Sequence, residues 1–207
     1  MKKMENNTVN NKKNNRRKLI IVLSIFALPV VLSTLLYMSG WRPTSTGNYG
    51  ELIQPARFIE DMAFQSVEGK KVQLSDLHGK WTMIYFDTAS CPAECMERIY
   101  FMRQTHRSQG KYLDKIQRVL ILTDNKGIDS LNAKLTEYPE MRVLTAGKEN
   151  LSQLYQEFGL LTQAEIEQRN IFLLDQQGNL MMRYKSTSEP AGVRKDFERL
   201  LKYSVEN

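Results

Sequence analysis

The two cysteines of this 207-residue chain, Cys91 and Cys95, are the residues with the clearest capacity for chemistry. Proline is favoured at the first position of a helix, so Pro92 predicts that Cys91 lies at a helix N-terminus. There the helix dipole and the unpaired N–H groups favour a thiolate, a better nucleophile and metal ligand than a thiol. The four-residue spacing places both sulfurs on one helix face, within reach of a disulfide or a shared metal ion. We also expect this site to be exposed.

Two apolar runs predict buried strands on either side of the cysteine helix. Residues 81–86 are aromatic and β-branched, and residues 117–123 form a second such run that ends at Asp124. Asp124 therefore lies at an edge where α/β folds often place ligands. Strands that alternate with helices predict an α/β fold. The other predicted elements are a hairpin over 64–74, helices over 95–107, 129–138, 148–158 and 190–203, a strand over 142–144 and a hairpin over 171–184.

The N-terminal residues have the composition of a membrane anchor. Residues 19–41, from Leu19 to Trp41, carry no charge and are long enough to cross a hydrocarbon core of ~30 Å as one helix. The alternative is a cleaved signal peptide, but the apolar run is too long for one and no small-residue cleavage site follows it. Residues 1–18 are basic and rich in Asn, which predicts a disordered tail. By the positive-inside rule this tail is cytoplasmic, and the rest of the chain lies across a bacterial inner membrane, in the periplasm.

The positive charge of the chain is confined to the tail. The net charge is +6, and residues 1–18 account for all of it, so the remainder is neutral. A neutral domain lacks the basic surface of a nucleic-acid-binding protein, and we expect no nucleic-acid partner. Residues 42–55 contain Gly and Pro turn signals and are predicted to be a linker, and residues 56–207 a single domain.

The sequence around the cysteines resembles the Sco/SenC family. The matching residues are Met83-Ile84-Tyr85-Phe86, Cys91-Pro92 and Cys95, with three residues between the cysteines, and the single N-terminal anchor agrees. The resemblance covers roughly residues 50 to 203. It implies a thioredoxin-like fold with one N-terminal transmembrane helix, a role in cytochrome c oxidase biogenesis, and oxidase subunits or other oxidase assembly factors as partners.

The resemblance also implies copper as a ligand, but one expected copper ligand is missing. The family binds copper through its two cysteines and a histidine about five residues ahead of the aromatic matched here by Phe172, which falls near Glu167. His106 lies about 16 Å along the predicted helix from Cys95, and a whole strand separates His78 from the cysteines, so neither can share an ion with them. We expect His106 to be a solvated or helix-end residue. Two thiolates alone can still hold Cu(I).

The sequence therefore leaves four hypotheses for Cys91 and Cys95. In the first, Cys91 exchanges disulfides with a partner sulfur and Cys95 resolves the mixed disulfide. In the second, the same two sulfurs carry Cu(I). The third is an assembly scaffold that needs neither cysteine, and the fourth is a static structural disulfide, which is less favoured because so small a loop gains little from a bridge. No other cofactor is indicated.

Overall fold

The computed structural model describes residues 2–40 and 47–205. The chain divides into two units, and the second begins at Gly47. Within the described residues, the helices and strands in chain order are α1 (Lys2–Met38), β1 (Glu51–Phe58), β2 (Ala63–Ser66), β3 (Lys71–Gln73), β4 (Trp81–Asp87), α2 (Ala93–Arg107), β5 (Ile116–Leu122), α3 (Ile128–Leu135), β6 (Met141–Ala146), α4 (Lys148–Phe158), α5 (Gln163–Glu167), β7 (Ile171–Leu174), β8 (Asn179–Tyr184) and α6 (Pro190–Val205).

The first unit contains α1, a helix of 37 residues. Its segment Arg16–Met38 contains an 18-residue stretch with a mean hydropathy of 2.8 and is, within the described residues, the one helix long and apolar enough to cross a membrane. This finding supports the predicted membrane anchor, whose last predicted residue, Trp41, lies outside the described residues. The helix also runs through residues 2–18, where composition predicts disorder. A helix extends from existing turns more easily than it nucleates, which accounts for the difference.

The second unit is built on one eight-stranded sheet in the order β1-β8-β7-β4-β5-β6-β2-β3. At its centre β4 pairs in parallel with β5 and antiparallel with β7. Every residue of β4 is buried, which fits the uninterrupted apolar run from which this strand was predicted. The predicted α/β, thioredoxin-like fold is confirmed.

Helices cover both faces of the sheet because side chains alternate along each strand. On one face Met83 and Tyr85 join a buried cluster with α2, α3 and α6, and this cluster includes both cysteines. On the other face Ile84 and Phe86 join a second cluster with α4. The cysteines therefore lie in the core between the central strand and the helices on this face of the sheet.

The second unit starts earlier than the predicted domain boundary at residue 56. Strand β1 begins within the predicted linker 42–55, continues to Phe58 and pairs with β8. Residues 42–46 of that linker lie outside the described residues. The buried carboxylate of Asp196 on α6 accepts hydrogen bonds from the backbone N–H groups of Tyr49 (2.9 Å) and Gly50 (2.8 Å). The sequence pattern missed β1 because its side chains are mostly exposed and show no apolar alternation.

Candidate functional site

The cysteines lie where the central strand ends and α2 begins. They form a disulfide, with their Cα atoms 5.1 Å apart. Pro92 is the N-cap residue of α2, one position earlier than predicted, and Cys95 is the third residue of the helix. The spacing argument was therefore correct in bringing the two sulfurs together on the first turn.

Both cysteines are completely buried, with 0% of either residue exposed, so the expectation of an exposed site is wrong. They belong to the same buried cluster as Tyr85 of β4 and Ile171 of β7. This burial depends on strands and helices far away in the sequence, which a local motif does not report. A thiol can therefore reach this disulfide only after the loop around it has moved.

The loop between β4 and α2 is held by side chains from two later segments. The backbone N–H of Ala89 donates to Asp124 Oδ1 at 3.0 Å. From α3, Lys134 Nζ donates to the carbonyl oxygens of Ser90 (3.2 Å) and Cys91 (3.0 Å). Asp124, predicted only as a residue at the ligand-binding edge of the sheet, thus fixes the backbone of the disulfide loop.

At the end of β4, the carboxylate of Asp87 is buried beside the same loop. The hydroxyl of Tyr85 donates to Asp87 Oδ2, and the backbone N–H of Thr88 donates to Asp87 Oδ1 at 2.8 Å. Burial, followed by the nearby Asp87 carboxylate, raises the pKa of Tyr85. Tyr85 therefore stays protonated and acts as a donor to Asp87.

Arg169 connects the two sides of the disulfide loop. Its Nε lies 3.4 Å from Asp87 Oδ2, before the cysteines, and its Nη1 lies 3.6 Å from Glu94 Oε2, within α2. Arg169 has φ +52° and Cys91 has φ +36°, and these are the two non-glycine residues of the described chain with positive φ. Backbone in this region is unfavourable for side chains other than Gly, Asn and Asp, and it clusters at functional sites.

Two cavities lie on either side of Arg169 and Glu167, which line both. One has a volume of about 480 Å³ and is also lined by Asp87, Pro92 and Tyr155. The other has a volume of about 380 Å³ and is also lined by Glu94. Both cavities therefore adjoin residues that lie between the two cysteines in the sequence.

Neither histidine belongs to this site. The ring of His78 lies against the turn between β7 and β8, where a Cβ added to Gly178 would come within 2.6 Å of Nε2. His106 is near the C-terminal end of α2, and its Nε2 lies 2.9 Å from the carbonyl oxygen of Leu113. His106 is therefore the helix-end residue that was one of the two expected alternatives, but it is buried, so the solvated alternative is wrong. It is buried because the segment after α2 folds back over it.

The fold and the buried cysteine pair define a thioredoxin-fold protein. Residues 81–204 match the family described as transmembrane-like, thioredoxin-like, C-terminal domain, and the chain belongs to this family. A search of curated protein sequences finds no match.

Several solved structures similar to this chain are Sco proteins. Yeast Sco1 has a TM-score of 0.60 and 19% identity, covering 73% of this chain and 98% of that chain. Copper-bound ScoI from Bradyrhizobium japonicum has a TM-score of 0.56 and 19% identity, covering 69% of this chain and 98% of that chain. BsSco, described as a cytochrome c oxidase assembly protein with a disulfide switch, has a TM-score of 0.57 and 16% identity, covering 72% and 94%. At these identities the similarity establishes the Sco-like fold.

The residues around the disulfide do not fit the copper site implied by these relatives. No group of three or more His, Cys, Asp or Glu side chains able to hold a metal ion occurs within the described residues. Both sulfurs are bonded to each other, and the position expected to hold a histidine falls near Glu167, where the sequence has no histidine. In addition, the guanidinium of Arg169 lies against the two nearest carboxylates. The site has the composition of a disulfide centre.

The sequence analysis found the cysteines but missed Asp87, Lys134 and Arg169. The position of Asp87 at the end of the predicted central strand was the one available signal, because such positions face the functional edge of α/β sheets. Lys134 and Arg169 reach the loop only through the pairing of distant strands, and no spacing rule reports them.

Proposed function

We propose that this protein is a membrane-anchored, Sco-like factor that acts in cytochrome c oxidase biogenesis by thiol–disulfide exchange through Cys91 and Cys95. The observation that carries the proposal is the disulfide between the two cysteines of the chain, located between the central strand and the first turn of the next helix. A four-residue loop gains little stability from a bridge, so a purely structural role explains this disulfide poorly. BsSco, a relative with the same fold, is described as containing a disulfide switch.

The proposed exchange consists of two successive thiolate attacks. A partner thiolate attacks Sγ of Cys91, the Cys91–Cys95 bond breaks, and its electron pair leaves on Sγ of Cys95, which takes a proton from solvent. A second partner thiolate then attacks the mixed disulfide and releases Cys91. The partner dithiol becomes a disulfide while this protein becomes a dithiol. The same steps in reverse, with Cys95 resolving the mixed disulfide, reduce a partner disulfide.

The proposed partner is a cysteine pair of an oxidase subunit or of another oxidase assembly factor. The apolar helix α1 would anchor the protein in a bacterial inner membrane, with the basic N-terminus in the cytoplasm and the disulfide domain in the periplasm. An oxidising compartment of this kind suits a protein whose resting state is a disulfide.

The proposal is tested by replacing Cys91 and Cys95 with serine, singly and together, in the full-length protein of its native host. We expect cytochrome c oxidase activity in isolated membranes to fall about tenfold or more in each variant, because exchange needs both sulfurs. Glu140→Gln, which lies outside the disulfide site and which we expect to lower stability, serves as the control for loss of folded protein. Normal oxidase activity in the double variant would overturn the proposal and support a scaffold role.

A second measurement separates exchange from copper carriage. In the exchange mechanism, full-length Cys95→Ser forms a lasting mixed disulfide through Cys91 with an isolated oxidase subunit, and Cys91→Ser does not. If copper supplementation instead restores oxidase activity to the double cysteine variant, the cysteines serve copper delivery and the exchange proposal is wrong.

A further inference from the structure

The disulfide loop is closed by contacts from three later segments, and one of them spans the whole loop. Asp124 and Lys134 bind backbone groups between Ala89 and Cys91. Arg169 instead bonds to two carboxylates, that of Asp87, which precedes both cysteines, and that of Glu94, which lies between them in the sequence. One guanidinium therefore ties the end of the central strand to the first turn of α2.

The backbone conformation of Arg169 does not by itself favour an arginine, so its side chain must account for the residue at this position. Its φ of +52° is in the left-handed region, where Gly or Asn costs less free energy than Arg. The side chain is 29% exposed and makes the two ion pairs just described. Gly or Asn could make the same turn at a lower free-energy cost. The two ion pairs that the guanidinium makes across the loop therefore explain why this position is an arginine.

Reduction of the disulfide requires this loop to move. The two sulfurs must separate to non-bonded distance, and an attacking thiolate must approach along the S–S axis, yet both cysteines are fully enclosed. Displacement of Pro92 or the first turn of α2 pulls Glu94 away from the end of β4. The two ion pairs of Arg169 then cannot both persist.

We propose that Arg169 is a positioning residue that clamps the loop closed over the disulfide, so that the Cys91–Cys95 bond reacts only when the ion pairs to Asp87 and Glu94 are released. The proposal rests on the exchange function proposed above. The reactivity of the disulfide then depends on the clamp, because a thiol reaches the sulfurs only in molecules in which the ion pairs of Arg169 are broken.

The test is the rate at which dithiothreitol reduces the oxidised full-length protein in detergent micelles, followed by thiol labelling. Dithiothreitol supplies two electrons and becomes a cyclic disulfide, and the protein gains two thiols. We expect Arg169→Ala to raise the second-order rate constant about fivefold, the effect of losing two partly exposed ion pairs. Glu94→Gln removes one pair without changing the loop backbone and should raise the rate constant about twofold. Arg169→Lys should fall between wild type and Arg169→Ala.

Salt dependence distinguishes a clamp from general destabilisation. In 1 M NaCl the wild-type rate constant should rise toward that of Arg169→Ala, while the variant should change little, because salt screens the pairs that it already lacks. The matched control is Arg183→Ala. Arg183 is 27% exposed and bonds to Glu51 at 2.7 Å on β1, so its loss should leave the reduction rate unchanged.

The proposal is overturned if Arg169→Ala and Glu94→Gln are reduced at the wild-type rate, or if Arg183→Ala is accelerated equally. These outcomes are independent of the oxidase assay. A wild-type oxidase level in the double cysteine variant removes the exchange function, whereas unchanged reduction kinetics remove only the clamp.

Discussion

Two clusters of charged side chains in the second unit each contain a buried member, and the two clusters join different kinds of structure. The disulfide cluster consists of Asp87, Glu94 and Arg169, and it connects loops and helix ends around the cysteines. The second, called here the His106 cluster, consists of His106, Arg118 and Glu140. In it Arg118 Nη2 bonds to Glu140 Oε2 at 2.9 Å, and His106 Nδ1 lies 3.5 Å from the same oxygen.

The backbone explains why only one of these clusters is assigned a function. His106 and Arg118 are within α2 and β5, whereas Cys91 and Arg169 are both in the left-handed region. Arg118 is buried with Nε and Nη1 unpartnered, and its pKa is lowered by burial, an effect that Glu140 opposes. Buried charge therefore occurs in the regular framework as well. What distinguishes the disulfide cluster is that its charges span a segment that must move in the proposed reaction.

The largest change in stability is expected at the His106 cluster. Glu140→Gln removes the one carboxylate that compensates buried Arg118, and we expect the free energy of unfolding to fall by about 2 kcal/mol. The loss is smaller than for a fully buried pair because the Glu140 side chain is 65% exposed. Denaturant titration of the full-length protein in detergent measures it. The reduction rate of the disulfide should stay at the wild-type value.

The control for this prediction is Glu198→Gln, which removes an exposed pair with Arg194 on α6. We expect a change below about 0.5 kcal/mol. If Glu140→Gln costs no more than this control, Arg118 does not depend on its partner, and the framework role of the His106 cluster is wrong.

An intermediate effect is expected from giving the disulfide site the histidine that the resemblance to the Sco/SenC family implies. In the reduced full-length protein, Glu167→His adds an imidazole to two thiolates and should tighten copper binding about tenfold or more, equivalent to ~1.4 kcal/mol. Competition with a copper chelator measures the affinity. Glu189→His, placed on the exposed segment before α6, is the control. Equal affinities for Glu167→His and wild type would mean that the position of Glu167 does not match the family histidine.

The smallest effect concerns the pH dependence contributed by His106. Burial lowers its pKa, with Arg118 and Lys80 acting in the same direction and Glu140 and the Leu113 carbonyl opposing it. A histidine with a lowered folded-state pKa contributes stability above its unfolded pKa of about 6.5 and loses that contribution as the pH falls through the window below it. One such group contributes at most ~1.4 kcal/mol per pH unit.

We therefore expect the unfolding free energy of the wild type to fall more steeply between pH 7 and pH 5.5 than that of His106→Gln. The expected difference over this range is about 1 kcal/mol. Parallel pH profiles for the two proteins would contradict the prediction. The disulfide reduction rates of the two proteins should have the same pH profile, because the His106 cluster is not part of the redox site.

The sequence was informative where local pattern decides structure. The apolar run of β4 predicted the central strand, and α4 has the predicted bounds because Gly159 ends it with φ +71°. Strand β1 was missed because it is an exposed edge strand that contains Pro55. The proximity of the two cysteines followed from their spacing, which left a disulfide and a shared metal ion as alternatives. Their burial and the clamp by Arg169 did not, because they depend on β7 lying beside β4.

The order of residues along the chain determines when the disulfide can become buried. Asp124, Lys134 and Arg169, which hold its loop, all follow Cys91 and Cys95 in the sequence. A chain is synthesised from its N-terminus, so both cysteines are made before any of the residues that hold their loop. The pair can be enclosed only after these later residues have been made and β7 has paired with β4. Folding therefore completes the surroundings of the disulfide late, with segments that follow it in the chain.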